Sequence, residues 1–469
     1  MQEQNQTPTV IISATHSGAG KTTVTRALLV ALKERGLVVQ PFKIGPDFID
    51  PMYHTAIVGR PSVNLDLWMM GEAEIRKVFA RWTADADVAV IEGMGALFDG
   101  AKGTDEGSAA HLARILNVPV VVVIDVYGMT RTAGALMDGL DSFDPEVQIA
   151  GFILNRCGRR GSLVHANLIK EGIGNERWNR VLSVICDDPH LRVAEGTLGL
   201  VTPSHDSEGI EQENLRSVAE QMDVERIFGT SIGQRTKQTY QPTPAQVHVP
   251  RTRLAVTKDA AFCFYYAENL AALQAVGFEI VEFSPVAGDP LPPNTHAVYL
   301  GGGYLPPFAS QLAENKKLAA QLRQAAVQGM PIYAECSALL YLGRSLRDFR
   351  GSTYQMSGVL PMDFVLDADY LQIRYLELTT QQNSIFGPAG TIMRGQEFHQ
   401  MRVEDSDLTP GLYRAKDSEG QEHVGGYQQG NVVASLAYVY FNSSAGVATR
   451  FLKAAQAFRK GQQPVTYHD

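Results

Sequence analysis

"VIISATHSGAGKTTVTRALLVAL", residues 10–32, decides the fold of the N-terminal half. An apolar run enters a glycine-bearing turn, and Lys21 and Thr22 then open a helix with apolar residues at helical spacing. Backbone N–H groups of such a turn cradle phosphate oxygens, and the helix dipole favours the anion. In this pattern the lysine reaches the terminal phosphates and the threonine hydroxyl binds Mg²⁺. Ser17, Gly18, Gly20, Lys21, Thr22 and Thr23 are therefore read as a nucleotide-phosphate site. The first glycine of the usual spacing falls at position 15, which is Thr15. Gly18 and Gly20 keep the part that needs close backbone approach.

Outward from this turn the pattern alternates up to about residue 225. "TVIISA", "LVVQPFKI", "DVAVIEG", "VPVVVVIDV" and "QIAGFILN" are strand-like, with helical stretches such as Lys21 to Arg35 and Ser108 to Leu116 between them. Strands alternating with helices predict a doubly wound parallel sheet. Ligands of such sheets bind at the carboxyl ends of the strands. "KIGPDFIDP" puts Lys43, Asp47 and Asp50 just past the second predicted strand, and "VIEGMGALFDG" puts Glu92 and Asp99 just past the third. Carboxylates beside a triphosphate serve as Mg²⁺ ligands or hold the group being phosphorylated. Asp50 and Asp99 read equally well as residues that shape turns beside proline and glycine. Asn155, ending "GFILNR", is read as recognising adenine or as a strand-end amide capping a turn.

The chain has 469 residues, too many for one ordinary core. Apolar residues make up 45% and charged residues 19%, a globular mix. The longest apolar runs are too short to span a bilayer, and "MQEQNQTPTV" lacks a signal-peptide pattern, so no membrane association is expected. Cys157, Cys186, Cys263 and Cys336 are widely spaced with no CxxC pair, which suits a reducing cytoplasm. The net charge of −9 is spread out and gives no footprint for nucleic acid. Residues 230–251, polar and proline-bearing, read as a linker between a domain at 1–229 and another at 252–469. Assembly as a homodimer is left open.

The second half alternates again from Leu254, through "RLAVTKD", "FEIVEFSP", "HAVYLGGG" and "MPIYAEC", and later turns into shorter strand-like pieces. "PIYAECSALLYLG", residues 331–343, is a buried strand breaking into a helix with Cys336 at the break. Such an elbow presents a nucleophile, and the small residues Ser337 and Ala338 suit its tightness. Gly302 and Gly303 of "YLGGGY" are read as oxyanion-hole donors.

Taken in order, "SGAGKTT", "KIGPDFIDPMYH", "GRPSVNLDLWM", "EGMGALFDG", "GFILNRC", "DAAFCFYYAENL", "EFSPVAGDPLP", "GGGY", "YAEC", "RGQEFHQM" and "NVVASLAYVYFNSS" resemble the cobyrinic acid a,c-diamide synthase family across nearly the whole chain. The resemblance implies a dethiobiotin-synthetase-like ATP-binding domain followed by a class I glutamine amidotransferase domain. It implies ATP-dependent amidation of the a and c acetate side chains of an anionic tetrapyrrole, with glutamine or ammonia as nitrogen donor, through an acyl phosphate. Thr22, Asp47 and Glu92 would hold Mg²⁺, Lys21 and Lys43 the phosphates, and Asp50 and Asp99 the substrate. Cys336 would release ammonia from glutamine. Siroheme, sirohydrochlorin and its nickel complex are alternative substrates of the same kind. A nucleotide-switch ATPase carrying a degenerate amidotransferase domain is the alternative of another class.

One block departs from the family. Its C-terminal pattern A-S-Y-x-H-x-H-F is here "ASLAYVYF", with Tyr438 and Tyr440 at the histidines, and its E-C-G-G elbow is Glu335-Cys336-Ser337-Ala338. A phenol titrates near 10 and is a poor base at neutral pH. Either His399 or His423 supplies the base, or the glutaminase is weak and ammonia is used, or the domain has become structural. Glutamine-dependent activity is expected to be reduced relative to ammonia-dependent activity.

Overall fold

In the N-terminal half a largely β-branched run, Thr9–Ala14 (β1), is flanked on both sides by other buried strands. The further strands are Val39–Ile44 (β2), Val63–Leu65 (β3), Val88–Glu92 (β4), Val120–Asp125 (β5), Ile149–Asn155 (β6) and Val181–Val184 (β7). They form one seven-stranded sheet in the order β3-β2-β4-β1-β5-β6-β7, every pair parallel. The computed structural model describes residues 7–159, 162–188, 195–196, 199–200, 208–229 and 252–461.

Burial on both faces explains why these strands are continuous apolar runs and not alternating ones. On one face Val10, Ile12, Val90, Val121 and Val123 pack with Val24, Ala27, Leu28 and Leu32 of Lys21–Glu34 (α1). The chain passes to one side of β1 for β2 to β4 and to the other for β5 to β7. The strand order therefore switches at β1, and the turn after β1 stands at the crevice where such sheets bind ligands. One strand escapes the sequence pattern. The three-residue β3 is too short to show a period, so Glu92 ends the fourth strand and not the third.

The chain divides into two compact units, Met1–Pro244 and Ala245–Asp469. The linker expected at 230–251 lies outside the described residues. In the second unit, Thr252–Thr257 (β8), Phe278–Phe283 (β9), Ala297–Leu300 (β10) and Ile332–Glu335 (β11) pair in parallel in the order β9-β8-β10-β11. Further along the chain come Gln372–Thr380 (β12), Ile392–His399 (β13), Tyr413–Asp417 (β14) and Glu422–Gly425 (β15). Tyr427–Gln429 (β16), Val432–Ser435 (β17) and Ala437–Tyr440 (β18) follow them. β17 and β16 extend the parallel sheet beyond β11. The antiparallel sheet β15-β14-β12-β13-β18 supplies the opposing layer. Leu254, Tyr299 and Tyr333 of the first sheet share a core with Leu376, Met393 and Val439 of the second. Among the described residues no helix is long and apolar enough to cross a membrane.

Candidate functional site

Sheet register assembles the first site. β2 and β4 pair with Lys43 opposite Glu92, so the two side chains project from the same face. Both are nearly inaccessible to solvent, and a buried charge of either sign demands a partner. The Lys43 ammonium donates to Glu92 Oε1 at 3.1 Å, to the Gly93 carbonyl at 3.2 Å, and to Asp50 Oδ2. Asp50 lies in the first turn of Ile49–Val58 (α2), and His54 stands one turn further on the same face. His54 Nε2 meets Glu92 Oε2 at 2.7 Å, while its Nδ1 lies 3.2 Å from Ser62 Oγ. From the opposite side, Thr22 in the first turn of α1 donates its hydroxyl to Glu92 Oε1 at 2.8 Å. One carboxylate thus ties α1, β2 and α2 to the end of β4.

The charges do not balance locally, and the protonation equilibria follow. Burial works to raise the Glu92 pKa, but Lys43, His54 and Thr22 outweigh it and hold the group below the usual carboxylate range. Asp50 is pushed up to about 8 by burial and by the Glu92 charge, with Lys43 opposing. Lys43 is raised, because Glu92, Asp50 and Asp47 together exceed its burial cost. Lys21 moves the other way, lowered by burial and by Lys43. The structure thus brings Lys21, Thr22, Lys43, Asp50 and Glu92 into one electrostatic unit.

The phosphate turn explains its missing glycine. Gly18 and Gly20 have φ of +84° and +100°, the left-handed region, whereas Thr15 is not among the residues with positive φ. Only two glycines are conformationally required, so a side chain at position 15 is accommodated. Ser17 and Gly18 are exposed at the tip, and Thr23 is half-buried in α1. Asn155, at the end of β6, donates its amide to the Ala19 carbonyl at 2.9 Å. A Cβ on Gly20 would lie only 2.1 Å from Asn155 Nδ2, so the amide braces the turn against a glycine surface. Asp47 accepts from the backbone N–H of Ile49 and Asp50 at 3.0 and 3.3 Å, capping the start of α2. Asp99 is exposed on the loop after β4 and is not bonded into the Lys43–Glu92 cluster. That loop is held to β1 by Leu97 N–H donating to the Ala14 carbonyl at 2.9 Å.

Among the described residues no group of three or more His, Cys, Asp or Glu side chains is arranged to hold a metal ion. Magnesium bound with a nucleotide needs fewer, since phosphate and water supply the rest of its octahedron. Adjacent ligands at about 2.1 Å from Mg²⁺ lie about 3 Å apart. Thr22 Oγ1 and Glu92 Oε1, 2.8 Å apart, meet that spacing.

The second site is built on the turn after β11. Cys336 has φ 50° and ψ −116°, a strained conformation for a non-glycine residue. Its thiol donates to the Phe398 carbonyl at 3.5 Å, and the Tyr438 hydroxyl donates to its sulfur. Burial pushes the thiol up to about 12, with Tyr438 and the Ser337 N–H opposing. The Gly303 N–H donates to Ser337 Oγ at 2.8 Å. A Cβ at Gly302 would stand 2.1 Å from the Tyr438 hydroxyl. His423 accepts from Arg374 at 3.1 Å, and His399 stands 3.9 Å from Glu397. Neither imidazole is hydrogen-bonded to Cys336 among the described residues.

His54 is the participant that motif reading did not place, although the Asp50-to-His54 spacing, one turn on a helix, was an available signal.

A phosphate-loop domain with an acid–lysine cluster, followed by an α/β domain with a cysteine elbow, defines a two-domain ligase of the glutamine amidotransferase class. Residues 10–198 match the CobQ/CobB/MinD/ParA nucleotide binding domain, and residues 253–446 match the CobB/CobQ-like glutamine amidotransferase domain. Three similar relatives each bear the name cobyrinate a,c-diamide synthase. That of Syntrophotalea carbinolica is 37% identical over 95% of this chain and 98% of its own length. That of Caldanaerobacter subterraneus subsp. tengcongensis is 33% identical over 96% and 98%, and that of Methanosarcina acetivorans 34% over 98% and 98%. The chain belongs to the cobyrinate a,c-diamide synthase family.

Proposed function

We propose that the chain uses ATP to convert acetate side chains of a cobyrinate-type tetrapyrrole, the a and c positions, into amides. The observation that supports this most is one fully buried carboxylate, Glu92, joined at once to Thr22 of the phosphate-loop helix and to Lys43, the partner of Asp50. On this reading nucleotide chemistry and the binding of an anionic substrate share one network.

A carboxylate resists direct amidation because oxide is a poor leaving group. In the proposed sequence a substrate carboxylate oxygen attacks the terminal phosphorus of ATP, the bond to the bridging oxygen breaks, and ADP leaves with an acyl phosphate formed. Ammonia then attacks the acyl carbon, inorganic phosphate departs, and the nitrogen loses a proton to give the amide. Lys21, Lys43 and the backbone N–H groups of Ser17, Gly18, Gly20 and Thr23 would bind the phosphates and neutralise charge in transit. Thr22 and Glu92, with Asp47 close by in sequence to Asp50, would hold Mg²⁺, which supplies further neutralisation when bound. Asp50 and Asp99 would orient the tetrapyrrole, and Asn155 would hold the turn in shape for the adenine nucleotide. The nitrogen donor is glutamine or ammonia.

The test is mass spectrometry of products after incubation with Mg·ATP, ammonium and, separately, cobyrinic acid, sirohydrochlorin and siroheme. Conversion of cobyrinic acid to mono- and diamide is expected. Lys21→Ala and Glu92→Gln should each slow it on the order of 10²-fold or more. ATP turnover that responds only to a protein or DNA partner, with no amide from any tetrapyrrole, would overturn the proposal in favour of a nucleotide switch.

A further inference from the structure

We propose that Cys336 does not hydrolyse glutamine and that this ligase takes its nitrogen as free ammonia, an inference that rests on the amidation reading above. A thiol becomes a glutaminase only if a base removes its proton, N–H donors await the developing oxyanion, and the amide can reach the sulfur. Three features of the elbow act against these requirements.

The neighbour of the sulfur is a phenol and not an imidazole. Tyr438 donates its hydroxyl proton to Cys336 Sγ, while the thiol keeps its own proton on the Phe398 carbonyl at 3.5 Å. The hydrogen-bond chain therefore runs from phenol to thiol to carbonyl, the direction opposite to base catalysis. Glu397 adds negative charge that further disfavours the thiolate. Burial carries the thiol up to about 12, and the Tyr438 phenol well above its usual range, so neither ionises at neutral pH.

The oxyanion position is also filled. The Gly303 N–H, one of the two donors read for a tetrahedral oxyanion, is taken by the Ser337 hydroxyl at 2.8 Å, and that hydroxyl donates back to the Gly303 carbonyl at 3.1 Å. A glycine at position 337 would have no hydroxyl to place there. Access is closed as well, because Cys336 is 2% exposed and Tyr438 is 1% exposed, its hydroxyl laid against Gly302. The glycine surface receives a tyrosine and not a substrate. Two side chains, Ser337 and Tyr438, thus occupy the two halves of a would-be catalytic pocket.

The experiment measures glutamate released from glutamine by the full chain, with Mg·ATP and tetrapyrrole acid present, and labelling of Cys336 by the glutamine analogue 6-diazo-5-oxonorleucine. Wild type should release no more glutamate than Cys336→Ala and should stay unlabelled. Amide formation should proceed with ammonium and not with glutamine. The double variant Ser337→Gly/Tyr438→His should gain glutamate release on the order of 10²-fold, the scale of a restored base. Glutamate release by wild type that Cys336→Ala abolishes would overturn the proposal, whatever the double variant does. If neither donor gives amide with any tetrapyrrole, the amidation reading falls, and glutamate release alone decides the state of Cys336.

Discussion

At the scale of single residues, His54 is the side chain that fixes the buried carboxylate of the first site. A carboxylate oxygen can only accept, so His54 Nε2 donates to Glu92 Oε2 across 2.7 Å. That bond fixes one oxygen and leaves the other to face Thr22 and Lys43. His54→Ala would leave the fully buried carboxylate short of a donor, at a cost of about 1.5–3 kcal/mol for a charged hydrogen bond. The expected result in urea unfolding is a lower midpoint without a changed slope. If His54 positions Glu92, kcat should fall while KM for ATP changes little, and His54→Gln should recover part of the loss. Equal loss of stability with unaltered kcat would show a purely structural role. Lys21, Thr22, Lys43 and Glu92 were legible because motif chemistry names them. His54 was not, because its helical spacing from Asp50 assigns it no role until the carboxylate it touches is known.

Among elements, the turn between β1 and α1 carries the most consequence. Its sequence lacks one glycine of the usual pattern, yet its backbone needs left-handed residues only at Gly18 and Gly20. Thr15 is instead pinned by its N–H donating to the Val123 carbonyl at 3.2 Å. Thr15→Gly should therefore gain nothing for nucleotide binding and should lose stability by about 0.5–1 kcal/mol, through greater freedom of the unfolded chain. Equilibrium unfolding and nucleotide titration read the two effects separately. A tenfold or larger gain in ATP affinity would mean that the position wants a left-handed residue after all. The long strands were legible because burial on both faces makes them uninterrupted apolar runs, as in "VPVVVVIDV". β3 was illegible at three residues. The elbow at Cys336 was legible as a break, but the hydroxyl beside the sulfur belongs to Tyr438, 102 positions away, and only the fold brings it there.

For the whole molecule, each unit has its own core, and alternating strand and helix signals in each half made the two-layer architecture readable. The antiparallel sheet was less legible, since in β12 buried positions alternate only from Leu376 to Thr380 and the first four residues break the period. Two cores also allow the units to respond differently to pH, and the C-terminal one holds a group suited to show it. Glu335 is 1% exposed and accepts from Tyr299 and Tyr333 at 2.6 Å each and from Val439 N–H at 2.9 Å. Burial still outweighs these three donors and pushes its pKa from 4.5 up to about 7. The folded state therefore holds this proton more tightly than the unfolded state. The stabilisation is complete below pH 4.5 and is lost as pH rises through about 7. A shift of that size corresponds to about 3 kcal/mol. In a unit of this length it should move the midpoint down by about 6–12 °C between pH 4 and pH 8. Calorimetry distinguishes the units, because Mg·ATP should raise the transition of the nucleotide-binding unit and leave the other in place. Glu335→Gln should flatten the pH slope of that other transition. A slope that is flat in wild type, or unchanged in the variant, would place the proton elsewhere in the polar cluster between the two sheets.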